Sequence, residues 1–84
     1  MASVTIYTTA SCPYCVRAKS LLKGKGIDYT EINLDGKDKE LAELQARTKY
    51  RTVPQIFIGE EFIGGYVDLA ELETQGELDR MLNK

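Results

Sequence analysis

Two cysteines, Cys12 and Cys15, lie in the run Cys12-Pro13-Tyr14-Cys15. At that spacing the second sulfur sits one helical turn from the first. The pair can close an internal disulfide and be reopened by another thiol, which is the chemistry of thiol–disulfide exchange. The same residues would also serve as a core cysteine pair or as half of a metal knuckle. The chain contains no histidine. That removes Cys–His nucleophilic catalysis and imidazole acid–base chemistry. It also argues against a structural zinc site, which takes about four Cys or His ligands. Exchange needs none of these, because thiolates do the attacking and the leaving.

A reactive sulfur must be positioned, and the surrounding elements predict how. Val4 to Thr8 is rich in β-formers and reads as a strand. Thr9-Ala10-Ser11 forms a short loop. Pro13 suits the first turn of a helix, Ala18, Leu21 and Leu22 follow at helical spacing, and Gly24 and Gly26 end it. Cys12 therefore falls at a strand–helix junction. Free N–H groups of the first turn and the positive end of the helix dipole should favour its thiolate and lower its pKa. A loop tip should leave it open to a partner, with Cys15 less exposed. In this reading Cys12 attacks and Cys15 resolves. A C-x-x-C beside a β-α-β pattern in a cytosolic-looking chain strengthens the redox reading over the metal one.

Tyr29 to Asn33 reads as a second strand, parallel to the first through a right-handed crossover. Asp38 to Thr48 reads as a second helix, with Leu41 and Leu44 inward and Glu40, Glu43 and Arg47 outward. Pro54 precedes the apolar run Gln55-Ile56-Phe57-Ile58. Gly59-Glu60 looks like a hairpin turn, with Glu61-Phe62-Ile63 returning. Gly64-Gly65 breaks the chain. Asp68 followed by Glu71 fits a capping box that opens a third helix, Gly76 stops it, and Leu78, Met81 and Leu82 mark a last short one. A parallel pair followed by an antiparallel hairpin predicts an α/β fold: a four-stranded mixed sheet with helices on both faces.

The 84 residues predict a single domain spanning 1–84 with a thin core, since a chain this short buries roughly 60–65% of its unfolded surface. A formal net charge of −2 argues against a nucleic-acid partner. No stretch approaches the ~18 apolar residues of a membrane span. Met1 to Ile6 lacks the charged and apolar regions of a signal peptide, so the expected address is the cytoplasm. Two cysteines in a reducing compartment suit a catalytic or sensing disulfide better than a permanent staple.

Three motifs in order make the chain resemble a glutaredoxin over essentially its whole length. Cys12-Pro13-Tyr14-Cys15 resembles the dithiol active site of that family, Thr52-Val53-Pro54 its T-V-P loop, and Gly64-Gly65-Tyr66-Val67-Asp68 its G-G-x-x-D glutathione loop. The resemblance implies a thioredoxin-like fold acting as a monomer. It implies a glutathione-dependent oxidoreductase that reduces protein disulfides and protein–glutathione mixed disulfides. Ribonucleotide reductase is a frequent partner of such proteins. No metal is expected. The family also implies a cis Pro54, which would turn the Val53 backbone outward beside Cys12 to pair with an extended thiol peptide. Without the resemblance, an ordinary trans proline starting a strand would be favoured. Val67 is expected to donate its backbone N–H to glutathione and Asp68 to contact the α-amino group. A plain capping aspartate would suit that position too. Tyr14 is expected to flank the sulfur and pack on glutathione. Arg47, Lys49 and Arg51 offer either a site for the glycine carboxylate or a solvated basic face, and Tyr7, Tyr29 and Tyr50 read as sheet and core-edge residues.

The chain departs from the family at two positions. Thr9 stands where many glutaredoxins carry a lysine that helps hold the thiolate, and Val67 where an acidic or small polar residue is common. Two other readings stay open. Some relatives bridge a [2Fe–2S] cluster between two chains through the first cysteine and glutathione, but they more often have a small residue where this chain has Pro13. Some are reduced by thioredoxin reductase instead of glutathione.

Overall fold

The computed structural model describes residues 3–82. Residues 1, 2, 83 and 84 lie outside them, and with them the start of the Met1–Ile6 segment and the two ends of the 1–84 span. The elements run β1 (Val4–Thr8), α1 (Pro13–Gly24), β2 (Tyr29–Asn33), α2 (Asp38–Thr48), β3 (Gln55–Ile58), β4 (Glu61–Gly64), α3 (Tyr66–Thr74) and α4 (Glu77–Met81). The four strands form one sheet in the order β2-β1-β3-β4. β1 pairs with β2 in parallel, Val4 opposite Tyr29, and with β3 antiparallel, Val4 opposite Ile58. β3 and β4 close the hairpin, with an irregularity between Ile56 and Phe57.

Each face of the sheet has its own core. On one, Val4, Ile6, Ile56 and Ile58 meet Ala18 and Leu22 of α1, Leu69 of α3, and Leu78 and Leu82 at the chain's end. Burying each such aliphatic side chain stabilises by about 1.5–3 kcal/mol relative to exposure. On the other, Leu44 of α2 joins Leu34 and Phe57, with Tyr7, Ile32, Leu41 and Phe62 partly buried around them. The alternation of β1 explains the split: Val4, Ile6 and Thr8 are buried while Thr5 and Tyr7 are half-buried. Lys25, just past the end of α1, bonds Glu73 at 2.9 Å and Asp79 at 3.1 Å, tying α1 to α3 and α4 at the ends remote from the cysteines.

Fully buried Thr8 donates its hydroxyl to Glu31 at 2.7 Å, and Lys19 reaches the same carboxylate oxygen at 3.0 Å. The Thr8 hydroxyl, then Lys19, hold the Glu31 carboxyl below its ordinary pKa. Its contribution to stability is complete above the ordinary glutamate range and is lost as pH falls through the lowered folded value. Glu31→Gln should therefore lower Tm at about pH 7 and converge on wild type as pH falls through the lowered Glu31 value. A gap in Tm that stays constant across that range would contradict the assignment.

One expected boundary is corrected. The third helix begins at Tyr66, with Gly65 as its N-cap, and Asp68 is its third residue rather than its cap. A glycine offers no side chain to cap with, so the helix borrows from within. Asp68 Oδ2 accepts the Gly65 N–H at 3.0 Å, and Glu71 takes no part.

Candidate functional site

Cys12 and Cys15 are joined as a disulfide with Cα atoms 5.2 Å apart. Cys12 is the N-cap of α1 in an extended conformation, φ −131° and ψ 96°, and Pro13 opens the helix behind it. The Cys15 N–H points back at Cys12 Sγ, 3.0 Å away. That geometry stabilises negative charge on the sulfur once the disulfide is reduced, and no acidic residue lies in the first turn to oppose it. Cys12 retains 9% exposure against 1% for Cys15. The expected order is present, but Cys12 is far less open than a loop tip suggests. A thiol approaching the disulfide meets Cys12 first.

The Val53–Pro54 peptide bond is cis. The Val53 carbonyl oxygen lies 3.5 Å from Cys12 Sγ, a contact that becomes a hydrogen bond when the sulfur carries a proton. Pro54 is buried, Val53 half-buried and Thr52 exposed. The wall beside the sulfur is thus backbone, held at its base by the proline.

Gly64 ends β4 with φ +123°, and a Cβ there would run into the Asp68 carboxylate. Gly65 next to it has ordinary backbone, φ −99°, but a Cβ would come within 2.6 Å of the Tyr50 hydroxyl. The pair lets the chain turn from strand to helix while Asp68 folds back underneath. Val67, in the first turn of α3, is 62% exposed.

Tyr14 and Tyr66, each in the first turn of its helix, stack with ring centroids 6.1 Å apart and planes 26° from parallel. The Arg17 guanidinium lies 5.2 Å from the Tyr14 centroid. The large exposed apolar residues among those described are Tyr14, Val16 and Val67. Tyr14 and Val16 share α1 with the cysteines, so the exposed apolar surface includes the helix that carries the disulfide.

The remaining candidates divide. Lys49 and Arg51 line an open depression of about 640 Å³ with Gln45 and Ala46, on the loop leading to Pro54. Arg47 points elsewhere: its guanidinium lies 5.3 Å from the Phe57 centroid, lining a cavity of about 620 Å³ with Thr5, Tyr7, Gly59 and Phe62. Thr5 and Gly59 mark the end of the sheet opposite Cys12. Thr9 is half-buried in the loop before Cys12. Tyr7 and Tyr29 are strand residues, as expected. Tyr50 lies outside the strands, between α2 and β3, and is the core-edge residue of the three, half-buried with its ring edge-on to Phe62 at 5.5 Å. No group of three or more His, Cys, Asp or Glu side chains suited to a metal ion gathers among the described residues. No helix among them is long and apolar enough to cross a membrane.

Sequence reasoning missed the roles of Tyr66 and Gln55. Tyr66 had a signal, an aromatic beside the two glycines that open a helix. Gln55 had another, a polar residue inside a strand whose four residues are all buried.

Known proteins share this sequence and fold. A family model for glutaredoxins matches residues 4–63. The chain is 54% identical to a glutaredoxin of Pseudomonas aeruginosa over 83 residues, covering 99% of each. It is 48% identical to glutaredoxin 3 of Escherichia coli over 82 residues, covering 98% of this chain and 99% of that one. Its structure superposes on the buckwheat glutaredoxin–glutathione complex with a TM-score of 0.92 at 35% identity, covering 98% of this chain and 77% of the other. The chain belongs to the glutaredoxin family, the glutathione-dependent thiol–disulfide oxidoreductases.

Proposed function

We propose that this chain, working as a single-domain monomer, reduces protein disulfides and protein–glutathione mixed disulfides, with Cys12 as nucleophile and Cys15 as resolving thiol. The observation that carries the assignment is the Cys15 N–H aimed at Cys12 Sγ at 3.0 Å, on the more exposed of the two sulfurs. In the monothiol route the Cys12 thiolate attacks the glutathione sulfur of a mixed disulfide. The Cys12–glutathione bond forms, the protein–glutathione bond breaks, and the protein leaves as a thiolate that solvent protonates. A second glutathione thiolate then attacks, releasing glutathione disulfide and restoring Cys12. In the dithiol route Cys12 attacks a protein disulfide, Cys15 displaces the product by closing the internal disulfide, and two glutathiones reopen it.

Glutathione occupies a groove lined by Tyr14, Thr52, Val53, Pro54, Val67 and Asp68. Its cysteine backbone pairs with that of Val53 as a short antiparallel strand. Its γ-glutamyl carboxylate takes the Val67 N–H at the start of α3. Its ammonium pairs with Asp68, whose Oδ2 already serves Gly65 while Oδ1 accepts no hydrogen bond among the described residues. The buckwheat relative of the same fold was solved with glutathione, which supports glutathione as the ligand. Lys49 and Arg51, on the loop leading to Pro54, are the candidates to replace the lysine absent at Thr9; Arg47, turned toward Phe57, is not. The exposed surface of Tyr14, Val16 and Val67 suits a protein partner, with ribonucleotide reductase a candidate. The cytoplasm, with its reduced glutathione pool, is the compartment this chemistry needs.

The test is reduction of a glutathionylated peptide by glutathione, coupled to glutathione reductase, for wild type and Cys15→Ser. Cys15→Ser should retain deglutathionylation and lose turnover of intramolecular protein disulfides. Loss of both would show that the monothiol route through Cys12 is absent. A wild type inactive with glutathione but reduced by thioredoxin reductase would assign a different electron donor.

A further inference from the structure

Gln55, the first residue of β3, has no solvent exposure. A buried amide must find its partners inside the protein. Nε2 donates to the Tyr50 carbonyl at 2.8 Å, and Oε1 accepts from the Thr48 hydroxyl at 2.8 Å. The amide orientation is forced, because a carbonyl can only accept. The Thr48 oxygen also lies 3.0 Å from the Leu44 carbonyl, but its single proton serves the buried Gln55 oxygen, since the helix ladder already supplies Leu44. The Tyr50 N–H donates back to the Thr48 oxygen at 3.3 Å, which closes a ring through both polar groups of the Tyr50 backbone. One residue on, Gln45 Nε2 donates to the Arg51 carbonyl at 2.8 Å.

The two residues that precede Thr52-Val53-Pro54 are thereby fixed by side chains from α2 and β3. The loop they feed sets the Val53 carbonyl 3.5 Å from Cys12 Sγ. We infer that Gln55 and Thr48 are positioning residues, whose hydrogen-bonded ring sets the distance of the Val53 wall from Cys12 and hence the affinity for the disulfide substrate. Neither touches the substrate; both act through the backbone of residues 50–53. The inference rests on the reading of that loop as one wall of the glutathione groove.

The experiment compares Thr48→Val, Thr48→Ser, Gln55→Met and Asp68→Asn with wild type in the coupled glutathionylated-peptide assay. The pH profile of Cys12 alkylation is measured in parallel. Thr48→Val deletes the hydroxyl at nearly constant volume and should raise KM about tenfold, the equivalent of about 1.4 kcal/mol, with kcat near wild type. Thr48→Ser keeps the hydroxyl and should restore KM. The alkylation profile should not move in either. Gln55→Met should follow Thr48→Val; if it fails to fold, the Thr48 pair still decides. A folded Thr48→Val with wild-type KM would overturn the inference, as would a shifted alkylation profile with KM unchanged. Asp68→Asn keeps an oxygen for Gly65 and loses only the charge. A raised KM there without one in Thr48→Val sinks the brace and leaves the groove standing. No change in either variant sinks the groove reading itself.

Discussion

Cys12→Ser should abolish reduction of both glutathionylated peptides and protein disulfides, by at least about a thousandfold, the scale on which removing a covalent nucleophile acts. A serine hydroxyl is not ionised near neutral pH and would need a base to activate it. The chain has no histidine to serve as one. Cys15 cannot substitute, because it is 1% exposed and lies inside the first helical turn. The fold should survive. Serine is a favoured N-cap, and its oxygen can accept the Cys15 N–H that now points at sulfur. Activity measured beside the thermal unfolding of the reduced proteins separates the two effects. Retention of a tenth of wild-type turnover in Cys12→Ser would mean that Cys12 is not the nucleophile.

Gly64→Ala should be the most destabilising of the conservative changes at the site. The φ of +123° is a conformation that side chains other than glycine rarely adopt, and the new methyl would overlap the Asp68 carboxylate. Backbone strain of about 1–3 kcal/mol adds to the loss of the Asp68 bond to Gly65, worth about 1 kcal/mol. A combined loss of about 3 kcal/mol corresponds to a fall in Tm of roughly 12–24 °C for a domain this small. Gly65→Ala is the informative contrast. Its backbone is unstrained, and its methyl would meet the end of the Tyr50 side chain, which can move. It should cost less than half as much. Equal losses from the two substitutions would show that Asp68 does not depend on the bare Gly64.

Most of the frame was legible in the residues because each element buries one face. Alternation in β1, and the helical spacing of Ala18, Leu21 and Leu22, carry their own geometry. The cysteine pair was legible because Pro13 and the preceding strand place it at a helix start. The features that escaped depend on residues far apart in the chain or on missing atoms. An aspartate looks like a cap, so the residues point to Asp68 as the start of α3; the actual cap, Gly65, has no side chain to signal it. Gln55 reads as part of an apolar run, since its role appears only when Thr48 and Tyr50 close around it. Tyr66 finds Tyr14 only once α1 and α3 lie side by side. The outward aim of Arg47 was legible; that it turns toward Phe57, away from the sulfur, was not. The cis state of Pro54 followed from family resemblance alone, since the residues by themselves favour trans.

The stacking of Tyr14 on Tyr66 has an electrostatic corollary. Both residues sit in the opening turn of a helix, so the stack sets two positive helix ends next to each other. Like ends repel; the Asp68 carboxylate offsets part of that repulsion at α3, while the first turn of α1 carries no acidic residue. A negative group held between them would offset the rest. In a chain with a net charge of −2, the positive field beside the disulfide thus comes from peptide groups rather than lysines.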